Sequence, residues 1–284
     1  MQVRKLVIPV AGMGTRFLPA TKEIPKEMLP IVDVPTIQLQ IEEAAKAGIE
    51  EVILVTNDKK ECILKHFKED KELEEKLEKA GKTALLEKVR KINNNVKVLS
   101  VKQTVALGSA NAIYQAKELV GNEPFAVMYG DDLIKGGCAL KELIDVYNKY
   151  NGNVIGLQQV PHKLTYKYGI VSLVDEDTLE INDIVEKPKV EDAPSDLAGL
   201  GRYILNPEIF EVIENLKTGA GGEYQLTDAM KELMTKQKFY GCKFSGTYYD
   251  IGSQLGYIKA NIMYALDRDD IKDDLISFMK DILK

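Results

Sequence analysis

The chain is poor in the residues that build several common kinds of site. Only three cysteines occur, Cys62, Cys138 and Cys242, far apart and without C-x-x-C spacing, which speaks against a disulfide framework and predicts three reduced thiols. Histidine is scarcer: His66 and His162 stand alone, with no Cys or His partner nearby, so structural zinc and a histidine-centred nucleophilic triad are both disfavoured. No stretch approaches the roughly 20 apolar residues that span a bilayer, and the apolar run near the N-terminus is too short for a signal-peptide core. Positive charge is also in deficit. With 38 Lys and Arg against 44 Asp and Glu, the net charge is −6 and a general nucleic-acid surface is not expected. These absences point to a cytoplasmic protein with no membrane and no nucleic-acid partner.

What is present is ordinary globular material, 45% apolar and 29% charged over 284 residues, enough for a substantial core. Val3–Val10 reads as a buried strand ending in a Gly-rich turn, Thr36–Ala47 as a helix stopped by Gly48, and Glu51–Thr56 as a second buried strand. Residues 59–91 read as a solvated helical excursion. Strands follow at 97–101, 124–128 and 153–160, with helices at 109–119 and 139–150 between them. From 169 onward the pattern turns antiparallel, with strands at 169–174, 178–186, 201–205, 239–243 and 247–249 and helices near 207–215, 224–235 and 254–266. The order predicts an α/β fold: a Rossmann-like, doubly wound, mixed but mostly parallel sheet with a smaller α+β part appended.

The first loop reads Ala11-Gly12-Met13-Gly14-Thr15-Arg16. Glycine lets backbone N–H groups approach phosphate oxygens, and Arg16 adds a cationic fork. A Walker loop is excluded because no GK[ST] follows, and a dinucleotide fingerprint because Phe17 stands where the third glycine belongs. Lys26 lies in Pro25-Lys26-Glu27-Met28-Leu29-Pro30, where the prolines make a helix implausible and a stiff loop the better reading. Gln103, at a strand end, is either an ordinary polar terminus or an amide that reads a pyrimidine edge. Asp131-Asp132, after another strand, is either an acidic turn or a seat for Mg²⁺, which takes one or two carboxylates plus substrate oxygens. Glu186-Lys187-Pro188 ends a strand, because proline cannot continue the ladder.

The loop with GxGTRxLPxT and PKEMLP resembles the sugar nucleotidyltransferase superfamily, and within it the bacterial UTP–glucose-1-phosphate uridylyltransferases. Further matches are Gln103 with Gly108 and Ala112, Tyr129-Gly130-Asp131, Tyr168-Gly169-Ile170-Val171, Val185-Glu186-Lys187-Pro188, Gly201-Arg202-Tyr203, Gly221-Gly222-Glu223-Tyr224-Gln225-Leu226-Thr227-Asp228-Ala229 and Tyr249-Asp250-Ile251-Gly252. They run in order from about Val3 to Ala265.

The resemblance implies that Gly12, Gly14 and Thr15 line a triphosphate, that Arg16 holds the departing pyrophosphate, and that Lys26 stabilises charge on the α-phosphate. It implies that Ala11, Gly12 and Glu27 face uracil together with Gln103 and Gly108. Gly169, Glu186 and Lys187 meet the sugar phosphate, and Asp131 and Asp250 face Mg²⁺, with Asp132 in support. The partners implied are UTP, glucose 1-phosphate, UDP-glucose and pyrophosphate, and a homo-oligomer, dimer or tetramer. On this reading residues 1–284 form one domain, with a nucleotide-binding half (1–152), a sugar-phosphate half (153–252) and C-terminal helices (253–284). The chain departs from the family at Ser109-Ala110-Asn111, and the Ala110 methyl is expected to crowd the base or the backbone turn, with an effect on nucleotide affinity. The rival readings are the same chemistry with another base or sugar, as in a thymidylyltransferase, and a catalytically weak paralogue that senses a UDP-sugar.

Overall fold

A computed structural model describes residues 2–92, 96–219 and 222–284. Strand β1 (Lys5–Pro9) leads through the Gly-rich loop and the short pair β2 (Pro30–Ile31) and β3 (Val34–Pro35) to α1 (Thr36–Lys46) and β4 (Glu51–Thr56). Helices α2 (Glu61–His66), α3 (Lys71–Lys79) and α4 (Thr83–Arg90) precede β5 (Lys97–Lys102). Next come α5 (Ser109–Tyr114), α6 (Lys117–Val120), β6 (Phe125–Met128), β7 (Asp132–Lys135), α7 (Ala139–Tyr150) and β8 (Asn153–Gln159). The rest comprises β9 (Gly169–Asp175), β10 (Glu180–Glu186), β11 (Leu197–Leu205), α8 (Ile209–Asn215), α9 (Leu226–Met234), β12 (Phe239–Lys243), β13 (Thr247–Asp250), α10 (Gln254–Ala265) and α11 (Lys272–Ile282).

The main sheet has the order β5-β4-β1-β6-β11-β8-β12-β10-β9, and β9 also pairs with β11. Strands β5, β4, β1 and β6 are parallel. Strand β11 runs antiparallel to β6, β8 and β9, so parallel pairing dominates only the first half. The central strands carry continuous apolar runs, Leu6–Ile8 in β1, Val52–Val55 in β4 and all of β6, because helices cover both faces. Leu6, Ile8, Val52 and Leu54 face α1 and α7, while Val7, Ile53, Phe125 and Val127 pack toward α5, α8 and α9. Burying such side chains contributes about 1.5–3 kcal/mol each.

The helical excursion is solvated only in part: Lys60, Ile63, Phe67 and Leu86 are buried, Ile63 and Phe67 within the core, and it is α3 that behaves as the charge pattern predicts. Helix α3 buries no side chain and carries the i,i+4 pairs Glu72–Lys76 and Glu75–Lys79. The Pro-rich segment after β1 holds no α-helix, but its chain is not a featureless loop: Lys26–Met28 forms a single 3₁₀ turn. Pro25 precedes that turn, so its missing N–H interrupts nothing.

Candidate active site

Four parallel strands end at the same edge of the sheet, and this edge carries the predicted nucleotide residues. That is where open α/β sheets bind ligands. Strand β1 delivers the Gly-rich loop, β4 delivers Asn57, β5 delivers Gln103, and β6 delivers Asp131 and Asp132. Gly14 adopts φ +65°, and a β-carbon there would stand 3.2 Å from Lys26 Cβ. Glycine thus permits both the turn and the close approach of Lys26. Thr21 Oγ1 donates to Gly14 O (2.7 Å), and Asn57 Nδ2 donates to Ala11 O (2.8 Å), so the loop is held at both ends. The N–H groups of Gly12, Met13, Gly14 and Thr15 have no acceptor among the described residues, an arrangement suited to an anion.

The charged centre joins motifs far apart in sequence. Lys26 Nζ lies 2.9 Å from Asp131 Oδ2, and Arg16 Nη2 lies 3.4 Å from the same oxygen. Burial opposes the charge of Lys26, but Asp131 and Glu27 outweigh it and hold its pKa above the ordinary lysine value. Burial likewise opposes the charge of Asp131, and Lys26 and Arg16 outweigh it, so this carboxyl titrates below its usual range. Asp132 differs from its neighbour. Burial and the Asp131 charge push it up to about 7, while Tyr248 Oη donates to its Oδ1 at 2.6 Å.

Strand β7, not anticipated from the sequence, pairs with β13 and sets Asp132 opposite Asp250. Ile251 N donates to Asp131 O (2.9 Å), which brings the two acidic motifs together. Among the described residues no three acidic, His or Cys side chains converge as a preformed metal cage. Asp131 and Asp250 on one cavity wall nevertheless fit Mg²⁺, which needs few protein ligands when phosphate oxygens and water complete its shell.

That cavity measures about 690 Å³ and has Arg16, Asp131, Asp250, Gly169, Glu186 and Lys187 on its walls. A β-carbon at Gly169 would lie 3.1 Å from Thr227 Cγ2 and 3.4 Å from Glu186 Oε2, so glycine keeps the space beside Glu186 open. Lys187 has φ +45° and pairs with Glu186 at 3.2 Å. Sequence reasoning gave no role to several polar wall residues, Tyr248 and Thr227 among them. Thr227 lines the cavity, and its buried Oγ1 has no hydrogen-bond partner among the described residues. Gly221, at the start of that motif, lies outside the described residues. A larger cavity, about 910 Å³, lies around Lys117, Asn151 and Phe210. None of the predicted site residues lines it.

Two expectations need correction. Glu27 does not face an open base site, because its side chain is wholly buried and accepts from Lys60 Nζ at 2.8 Å. The 3₁₀ turn aims it beneath the loop, against Gly130, while its neighbour Lys26 points to Asp131. Ala110 crowds neither an open base site nor the backbone turn. It is fully buried in the core beside Ile113, and its N–H donates to Tyr224 O (2.9 Å). The glycine that matters there is Gly108, at φ +110°, where a β-carbon would lie 2.5 Å from Tyr224 O. The other departures from the family make specific contacts. Ser109 Oγ donates to Gln225, and Asn111 Oδ1 accepts from Gln103 Nε2 at 2.9 Å.

Comparison with known proteins agrees with this geometry. The nucleotidyl transferase family model matches residues 5–266. A UTP–glucose-1-phosphate uridylyltransferase of Staphylococcus haemolyticus is 48% identical over 99% of both chains. Among solved structures, a UTP-bound UGPase from Acinetobacter baumannii superposes with TM-score 0.90 at 40% identity, covering 100% of this chain and 99% of that one. A UDP-glucose pyrophosphorylase complexed with UDP-glucose gives TM-score 0.86 at 40% identity, over 94% and 100%. The chain belongs to the nucleotidyl transferase family, on the branch of the UTP–glucose-1-phosphate uridylyltransferases.

Proposed function

We infer that the chain makes UDP-glucose and pyrophosphate from UTP and glucose 1-phosphate. The observation that carries the reading is the meeting of Arg16, Lys26 and Asp131 at the strand edge, facing Glu186 and Lys187 across one cavity. A phosphate oxygen of glucose 1-phosphate attacks the α-phosphorus of UTP in line, and the bond to pyrophosphate breaks. The nucleophile is already ionised, so no covalent enzyme intermediate is needed. Catalysis then rests on positioning and charge.

The free N–H groups of the Gly-rich loop and Arg16 hold the β- and γ-phosphates, and Lys26 meets charge developing at the α-phosphate. Gly108 and Gln103 border the base together with Ala11 and Gly12. Glu186 accepts from sugar hydroxyls, and Lys187 neutralises the attacking phosphate. Asp131 and Asp250 would hold Mg²⁺, which supplies charge neutralisation to the phosphates when bound.

Among the described residues no helix is long and apolar enough to cross a membrane, and the three cysteines are unpaired, which supports a cytoplasmic setting. Helix α11 buries none of its side chains and exposes Phe278 and Ile282, while α10 exposes Leu255 and Ile258. This apolar face supports a homo-oligomer. Division of the chain into a nucleotide half (1–152), a sugar-phosphate half (153–252) and terminal helices (253–284) fits the same scheme.

Pyrophosphate release with each nucleoside triphosphate and several sugar 1-phosphates, with and without Mg²⁺, tests the reading. UTP with glucose 1-phosphate should react fastest and only with the metal. A preference for thymidine triphosphate, or binding of UDP-glucose without any pyrophosphate release, would overturn it.

A further inference from the structure

We propose that Thr36 and Gln40 are positioning residues: helix α1 uses them, one turn apart on its buried face, to set Lys26 against Asp131. The inference rests on the roles given to Lys26 and Asp131 above. Gln40 is wholly buried, and its Nε2 donates to Tyr129 O (2.8 Å) and to Asp132 O (3.1 Å). These carbonyls belong to the first and last residues of the turn that presents Asp131. Within that turn the closing bond, from Asp132 N to Tyr129 O, is long at 3.3 Å. Thr36 is buried at the start of α1. Its Oγ1 donates to Glu27 O (2.8 Å) and its N–H to Leu29 O (3.2 Å), so it grips the 3₁₀ turn that carries Lys26.

Each contact has one possible arrangement. Backbone carbonyls only accept, so only the amino end of the Gln40 amide can face Tyr129 O and Asp132 O, with one proton for each. A turned amide would set Oε1 against two acceptors, and Oε1 has no partner among the described residues that would draw it round. The Thr36 hydroxyl must likewise donate to Glu27 O. Residues four apart in a helix share a face and stand about 6 Å apart along the axis. One rigid element therefore holds two turns whose charged residues are 105 positions apart in sequence. Neither Thr36 nor Gln40 lines the cavity, so both act through the residues they hold. Loss of the Gln40 amide orphans neither carbonyl: Asp132 O still accepts from Arg202 Nη2 (2.9 Å), and Tyr129 O from Asp132 N. What is lost is the tie between the turn and α1.

The experiment measures kcat for UTP with glucose 1-phosphate and Mg²⁺ in the full chain, as two double-mutant cycles, with circular dichroism to confirm folding. Gln40→Leu should lower kcat roughly five- to thirtyfold in the wild-type background, the scale of one or two neutral hydrogen bonds. In Asp131→Ala it should lower kcat less than about twofold, because no carboxylate is left to place. Thr36→Val should lower kcat roughly three- to tenfold and lose that effect in Lys26→Ala. Thr36→Ser keeps the donor and should turn over like the wild type. A merely structural role would lower kcat by the same factor in both backgrounds. That outcome in either cycle, or a wild-type rate in Gln40→Leu or Thr36→Val, overturns the proposal. Should Gln40→Leu fail to fold, the Thr36 cycle decides alone. If Lys26→Ala and Asp131→Ala themselves keep near wild-type turnover, the roles beneath the proposal fall with it. If they are slow while Gln40→Leu is not, only the role of α1 falls.

Discussion

At the scale of single residues, the cleft sorts its charges by who surrounds them. Lys26 and Asp131 face each other and the substrate space, so removing either should slow turnover without unfolding the chain. Lys26→Ala and Asp131→Ala are each expected to lose about 10²–10³ in kcat, the usual effect of one preorganised charged contact. Steady-state pyrophosphate release, with circular dichroism to confirm folding, checks this; near wild-type turnover sinks the role assigned. Lys60 poses the opposite case. It is 6% exposed and pairs with Glu27, which is 0% exposed, so Lys60→Met would strand a carboxylate in the core. Breaking a buried pair from one side costs about 3–5 kcal/mol, and chemical unfolding should show a loss on that scale. A midpoint close to wild type would mean that Glu27 sheds its charge or gains water instead.

At the scale of elements, the most exacting junction is the turn from β5 into α5. Gly108→Ala brings a strained backbone, on the order of 1–3 kcal/mol, and a β-carbon 2.5 Å from Tyr224 O. Lower stability and a raised KM for UTP are both expected; a variant unchanged in thermal denaturation and in KM would show that the junction yields freely. This junction also marks where the sequence was and was not readable. Strand β4 and helix α7 were legible to the residue, because continuous apolar runs and a regular apolar stripe each admit one arrangement. Strand β7 was not. Its four residues begin with an acid, and only its pairing with β13, more than a hundred residues later, makes them a strand. The fate of Glu27 was hidden for a similar reason. A motif names a residue but not the direction its side chain takes, and here the partner Lys60 lies on a separate stretch of chain.

At the scale of the molecule, the apolar surface of α10 and α11 stands out on a chain with many surface ion pairs. Phe278→Asp combined with Ile282→Asp should shift the sedimentation coefficient toward that of a monomer while leaving a folded chain. A wild-type chain that sediments as a monomer at all concentrations would remove the basis for an oligomer. The motifs proposed for the site were visible across this whole span because most sit at strand ends, where the fold gathers them. The cavity they enclose was not, since its depth depends on glycines such as Gly169 and Gly201 lying against side chains from other strands. At Gly201 an added β-carbon would fall 1.7 Å from Asp132 Oδ2.

The hold of Lys26 and Arg16 on Asp131 also makes that carboxylate a resident rival of every anion the cleft receives. A phosphate entering the substrate-free protein must first draw the two cations away, so intrinsic affinity is discounted in favour of selectivity for ligands that bring enough contacts. Asp131→Asn lifts the discount. In metal-free buffer, calorimetry should find inorganic pyrophosphate bound more tightly by this variant than by the wild type, even as its turnover collapses. Weaker binding would show that the carboxylate keeps the cations in place for the ligand and does not compete with it.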